Sequence, residues 1–140
     1  MRNIVMRALA VLLTAVVGAC AAMPASPPEC AAGRIMQRHA LYFGLTTSDG
    51  AIIDEARWSA FLAETVTPRF PEGFTVLEAR GQWRNRETGT IIRQPSRVLI
   101  VLAADDPVTS TAVESVRTAY RERFAQQSVL RVSAPVCASF

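Results

Sequence analysis

Apolar residues recur at two spacings along the chain. A spacing of two residues predicts strands, and a spacing of three or four residues predicts helices. Between residues 37 and 46 apolar and polar positions alternate, so that His39, Leu41 and Phe43 share one side of a strand. The spacing of apolar residues in the rest of the chain predicts three further strands and two intervening helices. The predicted strands span residues 37–46, 74–84, 91–103 and 128–136.

Both predicted helices carry apolar residues three and four positions apart. The first is predicted to begin at Asp54, a favourable N-cap, and to end at Pro68. Residues 105–107 lead into the second, in which Thr111 and Glu114 have the spacing of a capping box. The inward-facing stripes are Trp58, Phe61, Leu62 and Val66 in the first helix and Val113, Val116, Tyr120 and Phe124 in the second.

This order of elements predicts an α+β fold, the ferredoxin-like βαββαβ plait. Right-handed crossovers give a four-stranded antiparallel sheet in the order 4-1-3-2, with two helices on one face. The apolar run 98–102 suits a central third strand that is buried on both faces, and Pro95 predicts a break or bulge in that strand. The second sheet face is left open, so we expect a partner, a second copy in a homodimer, to cover it. Coverage by the N-terminal tether or by the chain end is the alternative.

The N-terminus has the features of a secretory signal peptide. Basic residues near the start precede the apolar run 8–17, which is far shorter than the ~20 residues of a membrane-spanning helix. Residues 17–20, Val-Gly-Ala-Cys, resemble the lipobox of bacterial lipoproteins, which implies lipidation of Cys20. Two alternatives remain open. Residues 19–21 also fit a cleavage site for a soluble secreted protein, and the apolar run could stay uncleaved.

The lipobox interpretation divides the chain into three parts. Residues 1–19 are the signal peptide, residues 20–29 form a proline-containing, lipid-anchored tether, and residues 30–140 form a single α+β domain. Ala21 in place of aspartate after the lipidated cysteine resembles the signal of outer-membrane lipoproteins. We therefore expect an exported protein of the cell envelope that is held at the outer membrane and faces the periplasm.

Composition narrows the function classes further. Removal of Arg2 and Arg7 with the signal leaves 13 basic against 12 acidic residues, so the net charge of about +1 gives no case for nucleic acid. All 15 basic residues are arginine, which excludes a catalytic lysine and a Walker-type phosphate loop. With one histidine and no zinc-type spacing, the sequence predicts neither a metal site nor a cofactor.

Few residues qualify as site candidates, and none is marked as catalytic. His39 is expected to be a hydrogen-bonded structural histidine more often than a catalytic base. Arg69, which follows the first helix, is placed either for an ion pair with Asp105–Asp106 or for contact with an anionic ligand. Trp83 and Arg84, near the tip of the central hairpin, suit either a partner contact or an ordinary stacked surface pair.

Two cysteines remain once Cys20 is lipidated or discarded, and they are predicted to form a disulfide. The exported compartment is oxidising, and the plait makes the first and fourth strands antiparallel neighbours. Cys30 precedes the first strand and Cys137 ends the fourth, so their Cα atoms can approach to within the ~4.4–6.8 Å of a bridge. Its role is expected to be structural, since no Cys-x-x-Cys motif is present.

Two short motifs are distinctive, Thr-Pro-Arg-Phe-Pro at 67–71 and Gly-Gln-Trp-Arg at 81–84. With further segments they resemble a family of bacterial envelope proteins, the domain of unknown function 3574, over nearly all of the chain beyond Cys30. The family has no assigned activity, so the resemblance implies an exported, often lipid-anchored domain and no catalytic residue. The further segments that carry it are residues 41–45, 66–84, 127–132 and 137–140.

Two functions follow from these observations. The first is a non-catalytic envelope module that binds a protein or a small molecule. The second is a small periplasmic enzyme on a ferredoxin-like scaffold, which would require a deep cavity with His39 and a nearby carboxylate. A flat, apolar sheet face would favour the binding module instead.

Overall fold

The structure, a computed structural model, describes residues 30–140. Four strands and two helices follow one another in the predicted order. The first helix continues without a break into a five-residue π-helical turn at Leu62–Val66. The elements are β1 (Arg34–Gly44), α1 (Glu55–Phe61), β2 (Thr75–Arg84), β3 (Ile91–Ala103), α2 (Pro107–Arg123) and β4 (Leu130–Ala138).

The sheet confirms the ferredoxin-like plait. Its strands are ordered β2-β3-β1-β4, which is the predicted order, and every neighbouring pair is antiparallel. β1 and β3 lie at the centre, in agreement with the apolar run of β3. Residues of β1 alternate between the two faces, so that Leu41 and Phe43 meet the helices while Tyr42 and Ala40 point to the open side.

The core lies between the helices and one face of the sheet. Phe43 is fully buried at its centre, where its ring centroid lies 5.4 Å from that of Trp58 and 4.6 Å from that of Tyr120. The Tyr120 hydroxyl donates a 2.8 Å hydrogen bond to the carbonyl of Gly44, and burial raises the pKa of Tyr120. The stripes predicted for both helices therefore form one aromatic core.

Both helices begin at an aspartate that caps the first turn. Asp54 caps α1 as predicted, with its side chain accepting from the Arg57 amide at 2.9 Å. The capping box predicted at Thr111 is wrong. Asp106 caps α2 by accepting from the Thr109 amide, and Pro107 follows it as the first helical residue. The Thr111 hydroxyl, one turn inside the helix, instead donates to the Pro107 carbonyl.

The break predicted at Pro95 occurs in one ladder only. The β1–β3 pairing ends at Gly44 and Ser96, next to Pro95, whereas the β2–β3 pairing has neither a break nor a bulge. The register between β2 and β3 passes through Arg80 and Pro95 without a slip. The Pro95 carbonyl accepts from the Leu45 amide, and the Leu45 carbonyl accepts from Ile53 instead of from β3. Because the missing N–H of Pro95 faces the side on which β1 has already ended, no ladder hydrogen bond is lost.

Strand boundaries differ from the sequence prediction by up to three residues. β1 begins at Arg34 instead of residue 37, and β4 continues to Ala138 instead of residue 136, whereas β3 has its predicted bounds. The predicted signal peptide, Cys20 and the tether lie outside the described residues. No helix within residues 30–140 is long and apolar enough to cross a membrane.

Candidate functional site

The open face of the sheet presents two apolar rows that run across all four strands. The strand register aligns Leu130, Tyr42, Val98 and Leu77 in the first row. It aligns Val132, Ala40, Ile100 and Thr75 in the second. We call these eight residues the apolar face. Because directly opposed side chains in antiparallel strands lie about 5 Å apart, neighbours within each row contact one another. Ala40 and Val98 are buried within the rows, and Thr75 is the one polar member.

Large side chains of the apolar face are exposed where they lie on the edge strands. Leu130 is 58% exposed, Leu77 47% and Val132 44%. The charged residues that β1 adds to this side of the sheet, Arg34 and Arg38, lie toward the other end. These exposed side chains were not singled out in the sequence, although the alternation of apolar residues along β4 is the signal that places them on one face.

Cys30 and Cys137 form a disulfide with a Cα–Cα distance of 5.5 Å. Cys137 lies in β4, where it pairs with Ile35 of β1. The chain between Cys30 and β1 turns at Gly33, whose φ of 84° suits glycine and whose position leaves no room for a Cβ beside the Ala138 carbonyl. The turn lets Cys30 double back onto the end of β4.

Arg69 forms no ion pair with Asp105 or Asp106 in residues 30–140. Asp106 is occupied as the cap of α2. Arg69 instead donates to the Ser115 hydroxyl at 2.9 Å and to the Thr65 carbonyl at 2.7 Å. It lines a cavity of about 730 Å³ between the loop before β2, the end of β3 and the start of α2. The loop is therefore fixed by hydrogen bonds.

Trp83 and Arg84 do not stack on each other. Trp83 pairs with Ile92 and Arg84 with Ile91, so the two side chains lie on opposite faces of the hairpin. The Arg84 guanidinium donates to the Gly89 carbonyl across the turn at 3.3 Å. Trp83 shares the side of the sheet with the apolar face, whereas Arg84 belongs to the helix side.

His39 is buried between the sheet and α2 in a polar network. Its Nδ1 lies 2.9 Å from the Ser133 hydroxyl and 3.3 Å from Nη2 of Arg131. Because arginine only donates, Nδ1 accepts and the ring is the neutral tautomer protonated at Nε2. Burial lowers the pKa of His39, and the nearby charge of Arg131 lowers it further. The geometry is that of a structural histidine which joins β1 to β4.

The family of the chain follows from a comparison with models of protein families. The family model "Protein of unknown function (DUF3574)" matches residues 38–140. The chain belongs to this family. The DUF3574 match extends from within β1 to the last residue, so it covers the plait, the disulfide cysteine of β4 and Arg69. No curated protein sequence gives a significant match to this DUF3574 chain.

The DUF3574 domain is similar to several solved structures. A phage SAM lyase with S-methyl-5'-thioadenosine has a TM-score of 0.60, 17% identity, and coverage of 81% of this chain and 97% of the lyase. The apo state of the phage SAM lyase has a TM-score of 0.56 and 17% identity, with coverage of 82% of this chain and 98% of the lyase. CutA from Synechococcus elongatus, complexed with Bis-Tris, has a TM-score of 0.48 and 9% identity, with coverage of 78% of this chain and 88% of CutA. At these identities the likeness to the lyase is one of fold alone.

Proposed function

We propose that this DUF3574 protein is an exported, lipid-anchored envelope protein that acts by binding, and that it self-associates through the apolar face. The observation that carries the proposal is the exposure of Leu130, Leu77 and Val132 in cross-strand rows. Apolar patches larger than a few hundred Å² are rarely left to water on a monomer. The occupant of this surface is a second copy of the chain.

The dimensions of the open face suit a dimer interface. Four strands about 4.8 Å apart and the nine residues of β4, at about 3.3 Å each, span roughly 600 Å² in projection, of which the two apolar rows cover about 250 Å². A standard interface buries about 800 Å² of accessible surface per partner, and accessible surface exceeds projected area. Because the arginines of β1 on this face lie toward one end, two copies can pack apolar rows together without burying those charges.

An enzymatic role has less support from the geometry. The enzyme hypothesis asks for a cavity that holds His39 with a carboxylate. His39 lines neither of the two cavities described for residues 30–140. Its Nδ1 is already engaged by Ser133 and Arg131.

Introducing a carboxylate into the apolar face should abolish self-association. Val132→Asp places a charge in the second row, where pairing would force its desolvation. We expect the wild type to sediment as a dimer at micromolar concentration and the variant as a monomer, with at least a tenfold weaker dimer constant. Analytical ultracentrifugation of the full chain in detergent of matched density measures both.

Val108→Asp is the matched control, because Val108 is 80% exposed on the helix side and receives the same substitution. It should leave the dimer constant unchanged. A wild type that stays monomeric at high micromolar concentration would contradict the proposed interface, and so would an equal loss in both variants.

Lipidation of Cys20 is the second testable part of the proposal. It is supported by the basic start, the short apolar run and the Val-Gly-Ala-Cys sequence at residues 17–20. Intact mass of the membrane fraction should show a chain that starts at an acylated Cys20, and Cys20→Ser should move the protein out of that fraction. A soluble wild-type product starting at Ala22 would refute the lipid anchor.

A further inference from the structure

Positive charge is concentrated in the central hairpin, although the chain as a whole is close to neutral after signal removal. Residues 75–97 contain five arginines and only two acidic residues, Glu78 and Glu87. The excess therefore belongs to one supersecondary unit. The arginines are Arg80, Arg84, Arg86, Arg93 and Arg97.

The strand register brings most of these arginines to one face. Arg97 pairs across the strands with Glu78, Arg80 with Pro95 and Arg93 with Gln82. Side chains two residues apart share a face, so Arg80 is a diagonal neighbour of both Arg93 and Arg97 at about 7–8 Å, while Arg93 and Arg97 lie four residues apart on β3. Arg97 also forms a 2.7 Å ion pair with Glu55 of α1, which identifies this as the helix side of the sheet.

These residues line a groove of about 860 Å³ beyond the edge of the helix layer. We call it the arginine groove. Arg97 is held there by its ion pairs with Glu55 and Glu78. Its lining residues are Leu45, Glu78, Ala79, Arg80, Gly81, Gln82, Arg93, Gln94, Pro95, Ser96 and Arg97.

Arg80 and Arg93 are the two arginines of the groove that lack an ion pair within residues 30–140. Within residues 30–140 neither forms an ion pair or a side-chain hydrogen bond, whereas Arg97, Arg117, Arg123 and Arg131 each pair with glutamate. Like charges placed on neighbouring positions of one sheet face destabilise it. Two guanidinium groups that face a groove and neutralise no carboxylate are therefore available to an incoming anion.

We propose that the arginine groove is a binding site for a phosphorylated, hydroxyl-bearing small molecule of the sugar-phosphate class. The planar guanidinium groups of Arg80 and Arg93 match phosphate oxygens in bidentate geometry. Gln82 and Glu78 supply amide and carboxylate groups for hydroxyls. The lining contains no aromatic residue, so the groove lacks the stacking surface that nucleobases use. Its volume lies within the ~300–1,000 Å³ of small-molecule sites.

The site goes beyond the proposed self-association and is separate from it. Arg80 and Arg93 lie on the helix side of the sheet, whereas the apolar face lies on the opposite side. The groove is also distant from Cys30. It lies where β1 ends, while Cys30 lies where β1 begins, and β1 has 11 residues at about 3.3 Å each. The ligand therefore binds at the end of the sheet opposite Cys30.

Isothermal titration of the full chain in neutral detergent tests the site. The probes are glucose 6-phosphate and glycerophosphoglycerol, the deacylated headgroup of phosphatidylglycerol, with glucose as the uncharged reference. Arg80→Gln and Arg93→Gln should each weaken binding about tenfold, because each loses one charge-assisted contact. Arg121→Gln, an exposed arginine of α2, is the matched control and should leave Kd unchanged.

Each outcome decides the proposal. Binding of glucose 6-phosphate that weakens in the two groove variants supports it and assigns the phosphate to a free ligand. The same pattern with glycerophosphoglycerol alone supports it and assigns the phosphate to a lipid headgroup. Absence of binding to both probes overturns the proposal, as does equal affinity in the wild type, both groove variants and Arg121→Gln. The dimer constant serves as a folding check that the groove variants should not change.

Discussion

Replacing both Cys30 and Cys137 by serine is expected to lower the free energy of unfolding by about 2–4 kcal/mol. The bond joins residues 107 positions apart, so it restricts nearly the whole unfolded domain. The chain-entropy estimate for such a loop is about 4.7 kcal/mol, which residual structure in the unfolded state reduces. For a domain of this size the melting temperature should fall by roughly 10 °C.

Urea denaturation of the double variant and of the wild type, each with and without reductant, measures the effect. The double substitution avoids the free thiol that either single change would leave. Reductant should bring the wild type to the stability of the double variant and leave the variant itself unchanged. A wild type whose unfolding midpoint ignores reductant would show that the bridge is absent from the purified protein.

The topology was predictable because it depends on properties that single segments carry. Alternation identified the strands, and the apolar run 98–102 required a central position that the observed order satisfies. Right-handed crossovers left few other arrangements. The neighbouring positions of β1 and β4 then gave the disulfide, since Cys30 and Cys137 flank those two strands.

Predictions of local structure were wrong where two local conformations have similar energies. Both Asp106 and Thr111 are good caps, and the extra first turn of α2 exposes Val108, so hydrophobic periodicity gave no reason to include it. At Pro95 the missing amide would break a ladder between two continuous strands. Whether a hydrogen bond is lost at Pro95 depends on β1 ending at Gly44, and the sequence around Pro95 does not specify where that distant strand ends.

The candidate site was the least predictable part, because it depends on register between distant residues. The ion pair considered for Arg69 requires a free carboxylate, whereas the Asp106 carboxylate already accepts a hydrogen bond as the cap of α2. Trp83 and Arg84 are adjacent in sequence, and adjacency in a strand separates their side chains. Arg80 and Arg93 are 13 positions apart, and only the hairpin register makes them neighbours.

Truncating Phe43 should be the most destabilising single substitution in the sheet. Its ring is fully buried and makes edge-to-face contacts with Trp58, Phe61 and Tyr120. Phe43→Ala removes these contacts and leaves a cavity that rigid neighbours from two helices do not fill. The expected loss is about 3–5 kcal/mol in the free energy of unfolding.

Tyr42→Ala is the matched comparison, since Tyr42 is the preceding residue on the same strand and 39% exposed on the opposite face. At a concentration at which sedimentation shows only monomer, it should cost less than about 1 kcal/mol. It should also weaken the dimer, because Tyr42 lies in the first apolar row, whereas Phe43→Ala acts on the core. Urea denaturation and sedimentation of the two variants separate these effects. Equal destabilisation by both substitutions would mean that the open face contributes to the core of the monomer, because the two residues differ chiefly in the face on which they lie.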